Sequence, residues 1–565
     1  MDIAKRLYLY VVSAVSLLVL SIGLYNLVAV VLGELADALG ASIIGGGGST
    51  GREQVSLAIA LVAVGSPVFA VHWLLVGRGW RGSDDTARND RHSAIRALHL
   101  GLVGTVALAF GAYAALELLD YVFGTLLGTD PGGARPSDHV ALLLVAAPVW
   151  WYHQRRRSID LRHDRLSRAA AWITRLQRYA WAFVGLVLLV GGVSQVIETL
   201  LSVLIGREGF GGGADWWLVP LTWSLATVVV GAGLFWFQAD DARRAVSDAE
   251  TVGEDDRASA LRATYFGAVI LVALSNVGVT VASSLAELGR WVLGVSDGTD
   301  TSAFLELVVG PPLVAIPFAI AGWLHWAAWR REGAGRSPVA LAAVERLALH
   351  LTAAVGIIFL AVGTAQLLGR LFEVALAVAA DNDFLRFELA WFVAQIVVGA
   401  VLWIPAWTLV MRRRLATPIT ERHVTAGRAY LYLAVGAALI AAVPSAAFSL
   451  YRVVDTLLGG RGVALGSDLS IPIAVVIVAS VIALYHARLL LSDLRSAAPA
   501  QPSAVAVAGA SAIVEVAAQP SAVVTATVPG VSLALTLRGP AGTDLESVAD
   551  ALREHLPPGL VLEDH

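Results

Sequence analysis

Residues 178–206 read RYAWAFVGLVLLVGGVSQVIETLLSVLIG. After Arg178 no Asp, Glu, Lys or Arg occurs until Glu198. A bilayer-spanning helix needs about 20 mainly apolar residues, and this stretch supplies them. Eleven more stretches of the same kind flank it. Together the twelve predicted spans are roughly 7–32, 55–77, 97–119, 139–153, 179–205, 216–238, 263–286, 304–329, 346–369, 389–411, 429–451 and 470–491. The fourth is short, with Trp150 and Trp151 at its end as interface anchors. None of the twelve has a charge in its central stretch. The fold class this implies is an all-α polytopic membrane protein.

Composition agrees. Of 565 residues, 57% are hydrophobic and 15% charged, with a mean hydropathy of +0.71. Ordinary soluble domains are roughly 45–50% apolar and about 25% charged, and single cores stop growing near 250–300 residues. A soluble enzyme, a nucleic-acid binder and a disordered chain are therefore excluded. Net charge is −4, so nucleic acid is no expected partner. Cysteine is absent, which removes disulfides, thiolate metal sites and cysteine nucleophiles. The first apolar run extends past Val31 without a small-residue cleavage site, so it reads as a retained helix.

Arginine asymmetry gives the orientation. The connections after even-numbered spans, with the N-terminus and the residues after the last span, hold 30 of the 40 cations. The opposite loops hold eight. Arg155-Arg156-Arg157, Arg243-Arg244, Arg330-Arg331 and Arg412-Arg413-Arg414 all lie on the basic side. Both termini are expected in the cytoplasm, and the Arg- and Ala-rich text suggests a bacterial inner membrane. The opposite loops carry Gly45–Gly48, Asp130-Pro131-Gly132-Gly133 and Gly211–Gly213, which is flexible-loop chemistry.

The spans repeat. Odd-numbered spans open with Arg6, Arg96, Arg178, Arg262, Arg346 and Arg428, each followed by aromatic or histidine residues, at intervals of 90, 82, 84, 84 and 82. A longer period overlies this one: Gly23…Asn26, Gly192…Gln195 and Gly363…Gln366 place their amides 169 and 171 residues apart. The module is thus four helices, present three times as parallel repeats, with expected boundaries 1–174, 175–340 and 341–495. The Arg6-Leu7-Tyr8-Leu9-Tyr10 opening, the G-x-x-N/Q step and the Pro-x-x-x-x-His ending (Pro67…His72, Pro148…His153) resemble a bacterial four-helix membrane domain family of unknown function, in three tandem copies. The resemblance implies a fold and no activity. The sixth two-helix unit departs furthest, with Pro444 where others have Gly and Tyr485-His486 in place of a Trp-rich ending.

Three constellations are candidates for function. Histidines at the basic end, His72, His99, His153, His325, His350 and His486, are either bis-imidazole ligands for haem b or part of an interfacial belt with Trp73, Trp326, Trp329 and Trp403. Intramembrane amides, Asn26, Gln195, Asn276, Gln366 and Gln395, either line a solute path or hydrogen-bond helices together at about 1 kcal/mol each. Acids near the other end, Glu34, Asp37, Glu117, Asp120, Glu198, Glu287, Glu373 and Asp455, form either an exposed rim or a cation-attracting vestibule. Arg370…Glu373 and Arg452…Asp455 have i,i+3 spacing for ion pairs.

What is missing narrows the classes further. No span carries the mid-membrane ionisable residue usual in ion-coupled transporters. No P-loop, H-E-x-x-H or G-x-S-x-G motif occurs. No catalytic residue, metal or cofactor is expected. The leading expectation is a non-catalytic scaffold or complex subunit, with a small-solute channel or transporter second and a haem redox subunit third. Its partners would be the lipid bilayer and other proteins, reached through the helices or the tail. That tail, after a Pro/Ala linker at 496–510, reads as a small α/β module over 511–565, with a strand at Val531–Arg538 and a helix near 543–555.

Overall fold

The computed structural model describes residues 3–38, 49–80, 85–129, 136–163, 167–206, 215–247, 251–296, 300–375, 382–416, 425–458, 465–497, 521–528, 531–538 and 561–564. Two compact units result, Met1–Asp493 and Leu494–His565. The first is helical: α1 (Ile3–Ala38), α2 (Ser49–Trp80), α3 (Asp85–Arg91), α4 (Ala94–Leu127), α5 (Pro136–His163), α6 (Arg168–Leu204), α7 (Leu218–Ser247), α8 (Thr251–Arg257), α9 (Ala260–Leu293), α10 (Thr301–Phe304), α11 (Gly310–Arg336), α12 (Pro338–Ala375), α13 (Asn382–Ala416), α14 (Thr425–Leu457) and α15 (Leu465–Ala497). A π-helical turn, Leu305–Val309, joins α10 to α11. Asp300 caps α10 by accepting from the Ala303 amide and the Ser302 hydroxyl, which holds its carboxyl below the usual range.

Among the described residues, eleven helices are long and apolar enough to cross a membrane. They coincide with eleven of the twelve predicted spans. The fourth, 139–153, lies inside the 28-residue helix α5 and is not among them. Its uninterrupted apolar run, Val140–Trp151, has 12 residues, or about 18 Å at 1.5 Å per residue. The long helices exceed the hydrocarbon: α6, with 37 residues, measures about 55 Å against a core of about 30 Å. Their polar ends therefore project beyond lipid and can carry charge.

Consecutive long helices pack as pairs, α1 with α2, α4 with α5, α6 with α7, α9 with α11 and α12 with α13. Glycine permits the closest of these contacts. A Cβ at Gly185 would lie 2.5 Å from the Phe235 amide nitrogen, and one at Gly231 would lie 2.3 Å from that of Leu189. Gly356 meets Trp403 at 2.5 Å, Gly399 meets Leu360 at 2.4 Å, Gly23 meets Val62 at 2.9 Å and Gly65 meets Leu20 at 2.9 Å in the same sense. Only a residue without a side chain fits at these crossings, and backbone approaches backbone as in small-residue membrane interfaces.

The pairs then associate in a regular order. The fourth helix of each module returns to the first, α5 against α1 and α11 against α6. In the last module Ile471 of α15 sits 3.0 Å from the position a Cβ of Gly369 on α12 would take. The third helix docks forward onto the next module, α4 on α6 and α7, and α9 on α12 and α13. Its docking face carries glycine: Gly101 and Gly267 are buried, and a Cβ on them would stand 3.3 Å from Gln177 and 3.4 Å from Leu351, on the next module's first helix. At the corresponding place of α14, counted from Arg428 as from Arg96 and Arg262, stands Leu433, 73% exposed. A large exposed apolar side chain there suits lipid instead of close docking.

The second unit contains β1 (Ser521–Val528), β2 (Val531–Arg538) and β3 (Val561–Asp564) in the order β2-β1-β3. β1 pairs antiparallel with β2, Ser521 opposite Arg538 and Val528 opposite Val531, and antiparallel with β3, Thr525 opposite Glu563. The predicted linker beyond Ala497 and the predicted helix near 543–555 lie outside the described residues.

Candidate functional site at the arginine-rich helix ends

The short helices α3 and α8, which lie between long ones, each present one buried carboxylate. Asp90 is 1% exposed and Asp256 2%. Each faces an arginine and a tyrosine one turn apart on the first helix of its own module. Arg6 Nε lies 2.9 Å from Asp90 Oδ1, and the Tyr10 hydroxyl donates to Asp90 Oδ2 at 3.1 Å. Arg175 Nε lies 2.9 Å from Asp256 Oδ1, and the Tyr179 hydroxyl donates to Asp256 Oδ2 at 2.7 Å.

A second arginine completes each chain. Arg96 Nη1 donates to the Tyr10 oxygen at 3.2 Å while its Nε and Nη2 fork onto Asp160 at 2.7 and 3.2 Å. Arg262 Nη1 donates to the Tyr179 oxygen at 2.8 Å while its Nε and Nη2 fork onto Glu332 at 3.0 and 2.5 Å. A phenol can donate once and accept as well, so it links two charged groups. A planar guanidinium can grip a carboxylate with two bonds and still reach a third acceptor. One chain of bonds thus ties the first helix, the linking helix, the third helix and the fourth. In the last module Arg414 pairs with the buried Asp493 at 2.6 Å, joining α13 to α15.

Further bonds join modules. Arg157 of α5 donates to Gln177 Oε1 at 2.7 Å and to the Thr174 carbonyl at 3.1 Å on α6, and Gln177 Nε2 donates to the Gly101 carbonyl of α4 at 3.1 Å. Burial and the neighbouring Arg178 charge pull the Arg157 guanidinium down to about 10, against the upward pull of Asp241.

The candidate histidines sit at these same ends. His72, His153, His325, His350 and His486 each place Nδ1 2.7–2.8 Å from the carbonyl four residues earlier, which orients the ring. The far nitrogen then faces a tyrosine: His72 meets Tyr8 at 3.2 Å, His325 meets Tyr265 at 2.9 Å and His486 meets Tyr430 at 3.5 Å. His99 and His153 differ. Their Nε2 atoms are buried without a hydrogen-bond partner, with ring centroids 5.8 Å apart and Trp73 stacked on His99 at 5.6 Å. Trp73 donates to Tyr152 and Trp407 to Tyr485, both at 2.7 Å, so the aromatic layer recurs. No cluster of three or more metal-ligating side chains occurs among the described residues.

The intramembrane amides are placed separately. Asn26 bonds the Ile22 carbonyl of its own helix at 2.8 Å and accepts from Gln54 of α2 at 3.1 Å. The Asn276 side chain donates to the Val272 carbonyl of its own helix at 2.9 Å. Gln195 is exposed. The Oε1 atoms of Gln366 and Gln395 are buried without a hydrogen-bond partner.

The acids diverge as well. Glu287 and Glu373 are buried at 7% exposure, whereas Glu34 and Glu198 are exposed. Glu287 is held by Arg290 and Ser296 at 2.9 and 2.6 Å. Arg370 joins Glu373 to Glu388, and Ser470 donates to Glu373 at 2.8 Å. Arg452 pairs with Asp468 across helices, where the spacing had suggested Asp455. Glu198, Glu287 and Glu306 line a crevice of about 640 Å³ between α6, α9 and the start of α11.

A family model for a domain of unknown function, DUF5671, matches the chain three times, at residues 6–137, 175–328 and 346–481. The first two matches begin at Arg6 and Arg175, the arginines that pair with Asp90 and Asp256. No curated protein and no solved structure matches the chain. The matches cover more than half of its length, and the chain belongs to the DUF5671 family, in three tandem copies.

Proposed function

We propose that this multi-pass membrane protein is a non-catalytic scaffold or complex subunit of a bacterial inner membrane. It crosses twelve times, with α5 as the fourth crossing and both termini cytoplasmic. Its helices and its C-terminal module, residues 511–565 with an α/β fold, hold other proteins. The observation that carries this reading is the use of the buried charge. Asp90, Arg96, Asp160, Asp256, Arg262 and Glu332 face one another across helices. Carboxylates already holding two or three donors are poor general acids or bases, and a cross-linked bundle is a good platform. The test is cross-linking in intact membranes followed by purification of the full chain and of a chain ending at residue 495. A defined protein that joins the full chain stoichiometrically supports the reading. A chain that stays alone in both forms and turns over a substrate refutes it.

A second reading, a passive path for a small solute, draws on the acidic crevice of Glu198, Glu287 and Glu306. Flux through reconstituted liposomes, abolished by Asn26→Leu, Gln195→Leu and Gln366→Leu together, would favour it. For the haem reading, His99 and His153 are the pair whose far nitrogens no tyrosine occupies. A Soret band in the purified protein is its test.

A further inference from the structure

Between α1, α4 and α5 of the first module lies a pocket of about 510 Å³. Its floor is buried, with Leu17 and Ala107 at 8% exposure and Ala146 at 5%. Its rim is open, where Val15 and Leu102 are exposed. Among its described lining residues only Ser21, Tyr25 and Tyr113 carry a polar side-chain atom.

The same place in the second module is filled. The networks above make Arg6 equivalent to Arg175, Arg96 to Arg262 and Asp160 to Glu332. Counted from these anchors, Leu17, Ser21 and Val103 of the pocket correspond to Leu186, Val190 and Val269. Those three form a buried core, and Phe183 and Phe318 pack against it. The places of the two phenylalanines hold Ala14 and Ala146 in the first module, and both line the pocket. Two missing phenyl rings thus account for the space.

Polarity and length identify what fits there. A buried water needs two to four polar partners, and the aliphatic floor offers none. An empty gap forfeits dispersion contacts, so hydrocarbon is the suitable filling. Along α1 the pocket runs from Ala14 to Tyr25, about 16 Å at 1.5 Å per residue. That is close to half of a hydrocarbon core of about 30 Å, the reach of one leaflet's acyl chain. Its polar end is marked by Tyr25, near Asp138, and by Tyr113, whose hydroxyl donates to Glu117. Tyrosines belong at a membrane interface, and the charge-free run of α5 starts beside them at Val140.

We propose that this pocket holds one acyl chain of a phospholipid from the leaflet opposite the arginine-rich helix ends. The ester groups lie at the level of Tyr25 and Tyr113, and the chain end points toward Val149. Lipid tails are as apolar as leucine, so shape rather than a hydrophobic gain retains the chain.

The test is photo-cross-linking of the full chain in liposomes containing phosphatidylglycerol with a diazirine within one acyl chain. Adducts are expected on the floor residues Leu17 and Ala107, but not on their buried counterparts Leu186 and Ala273 in the second module. Ala14→Phe with Ala146→Phe, which copies the second module, should abolish the floor adducts. Leu144→Phe, exposed on α5 outside the pocket, should leave them unchanged. If the double variant fails to fold, Ala14→Phe alone and the contrast between Leu17 and Leu186 in the unmodified chain decide the matter. Equal labelling of Leu17 and Leu186, no floor adduct in the unmodified chain, or floor adducts that persist in a folded phenylalanine variant would each overturn the proposal.

Discussion

Replacing Gly231 by Ala should push two helices apart. The new Cβ would stand 2.3 Å from the Leu189 amide nitrogen and 2.8 Å from the Leu188 carbonyl carbon. Both are backbone atoms inside α6, so no side chain can swing aside. Ordinary contact begins near 3.4 Å, and α6 and α7 must separate by about 1 Å along their closest stretch. Overpacking of this kind costs roughly 1–3 kcal/mol, and backbone contact puts the cost near the upper end. Ala gains up to about 1 kcal/mol of helix propensity over Gly, leaving a net loss of about 1–2 kcal/mol. Gly233, two residues along the same helix, has nothing within 4 Å of its Cβ position. Gly233→Ala should keep the propensity gain and lose nothing. Unfolding in mixed micelles by added SDS, followed by circular dichroism, should separate the two variants by about 2–3 kcal/mol. Equal midpoints would refute the close crossing.

Two further outcomes follow from the buried networks. Asp256→Asn leaves Arg175 and the Tyr179 hydroxyl without their anion in a 2%-exposed site and should destabilise by about 3–5 kcal/mol, whereas Asp240→Asn, on an exposed i,i+4 pair, should change the same midpoint by a few tenths of a kcal/mol. Arg96→Lys should also lose stability by about 2–3 kcal/mol despite keeping its charge, because an ammonium cannot fork onto Asp160 and still reach Tyr10; a wild-type midpoint for Arg96→Lys would show that geometry contributes nothing there.

The apolar runs were legible because lipid imposes one rule on every residue of a span, and the period of the arginine openers was legible because the modules repeat. The function of those arginines was not. They read only as markers of the repeat, whereas Arg6, Arg96 and Arg262 are partners in bonds that cross the bundle. Their carboxylates lie 64 to 84 residues away or in the seven-residue helices α3 and α8, too short to stand out from a connection. One signal was available: Asp90 and Asp256 each precede the next opener, Arg96 or Arg262, by six residues. The opener period also pointed to Arg178 as the counterpart of Arg6; Arg178 does reach Asp256, at 3.7 Å, but the closer pair is with Arg175, one turn before Tyr179, at 2.9 Å. The amides mislead for a different reason. A side chain inside a helix can bond its own carbonyl four residues back, as Asn276 does, and spacing cannot distinguish that from a bond to a neighbour.

The account stands most directly on α5 crossing the membrane, since its apolar run is the shortest and every later orientation depends on it. The chain has no cysteine, so each introduced one is a unique reporter. Thr129→Cys, after α4, and Arg155→Cys, near the other end of α5, should be probed with a membrane-impermeant maleimide on intact cells and again after lysis. With twelve crossings, Thr129→Cys reacts in intact cells and Arg155→Cys only after lysis. Labelling of both positions in intact cells, or of neither, would place the two ends of α5 on one side and contradict the twelve-helix arrangement.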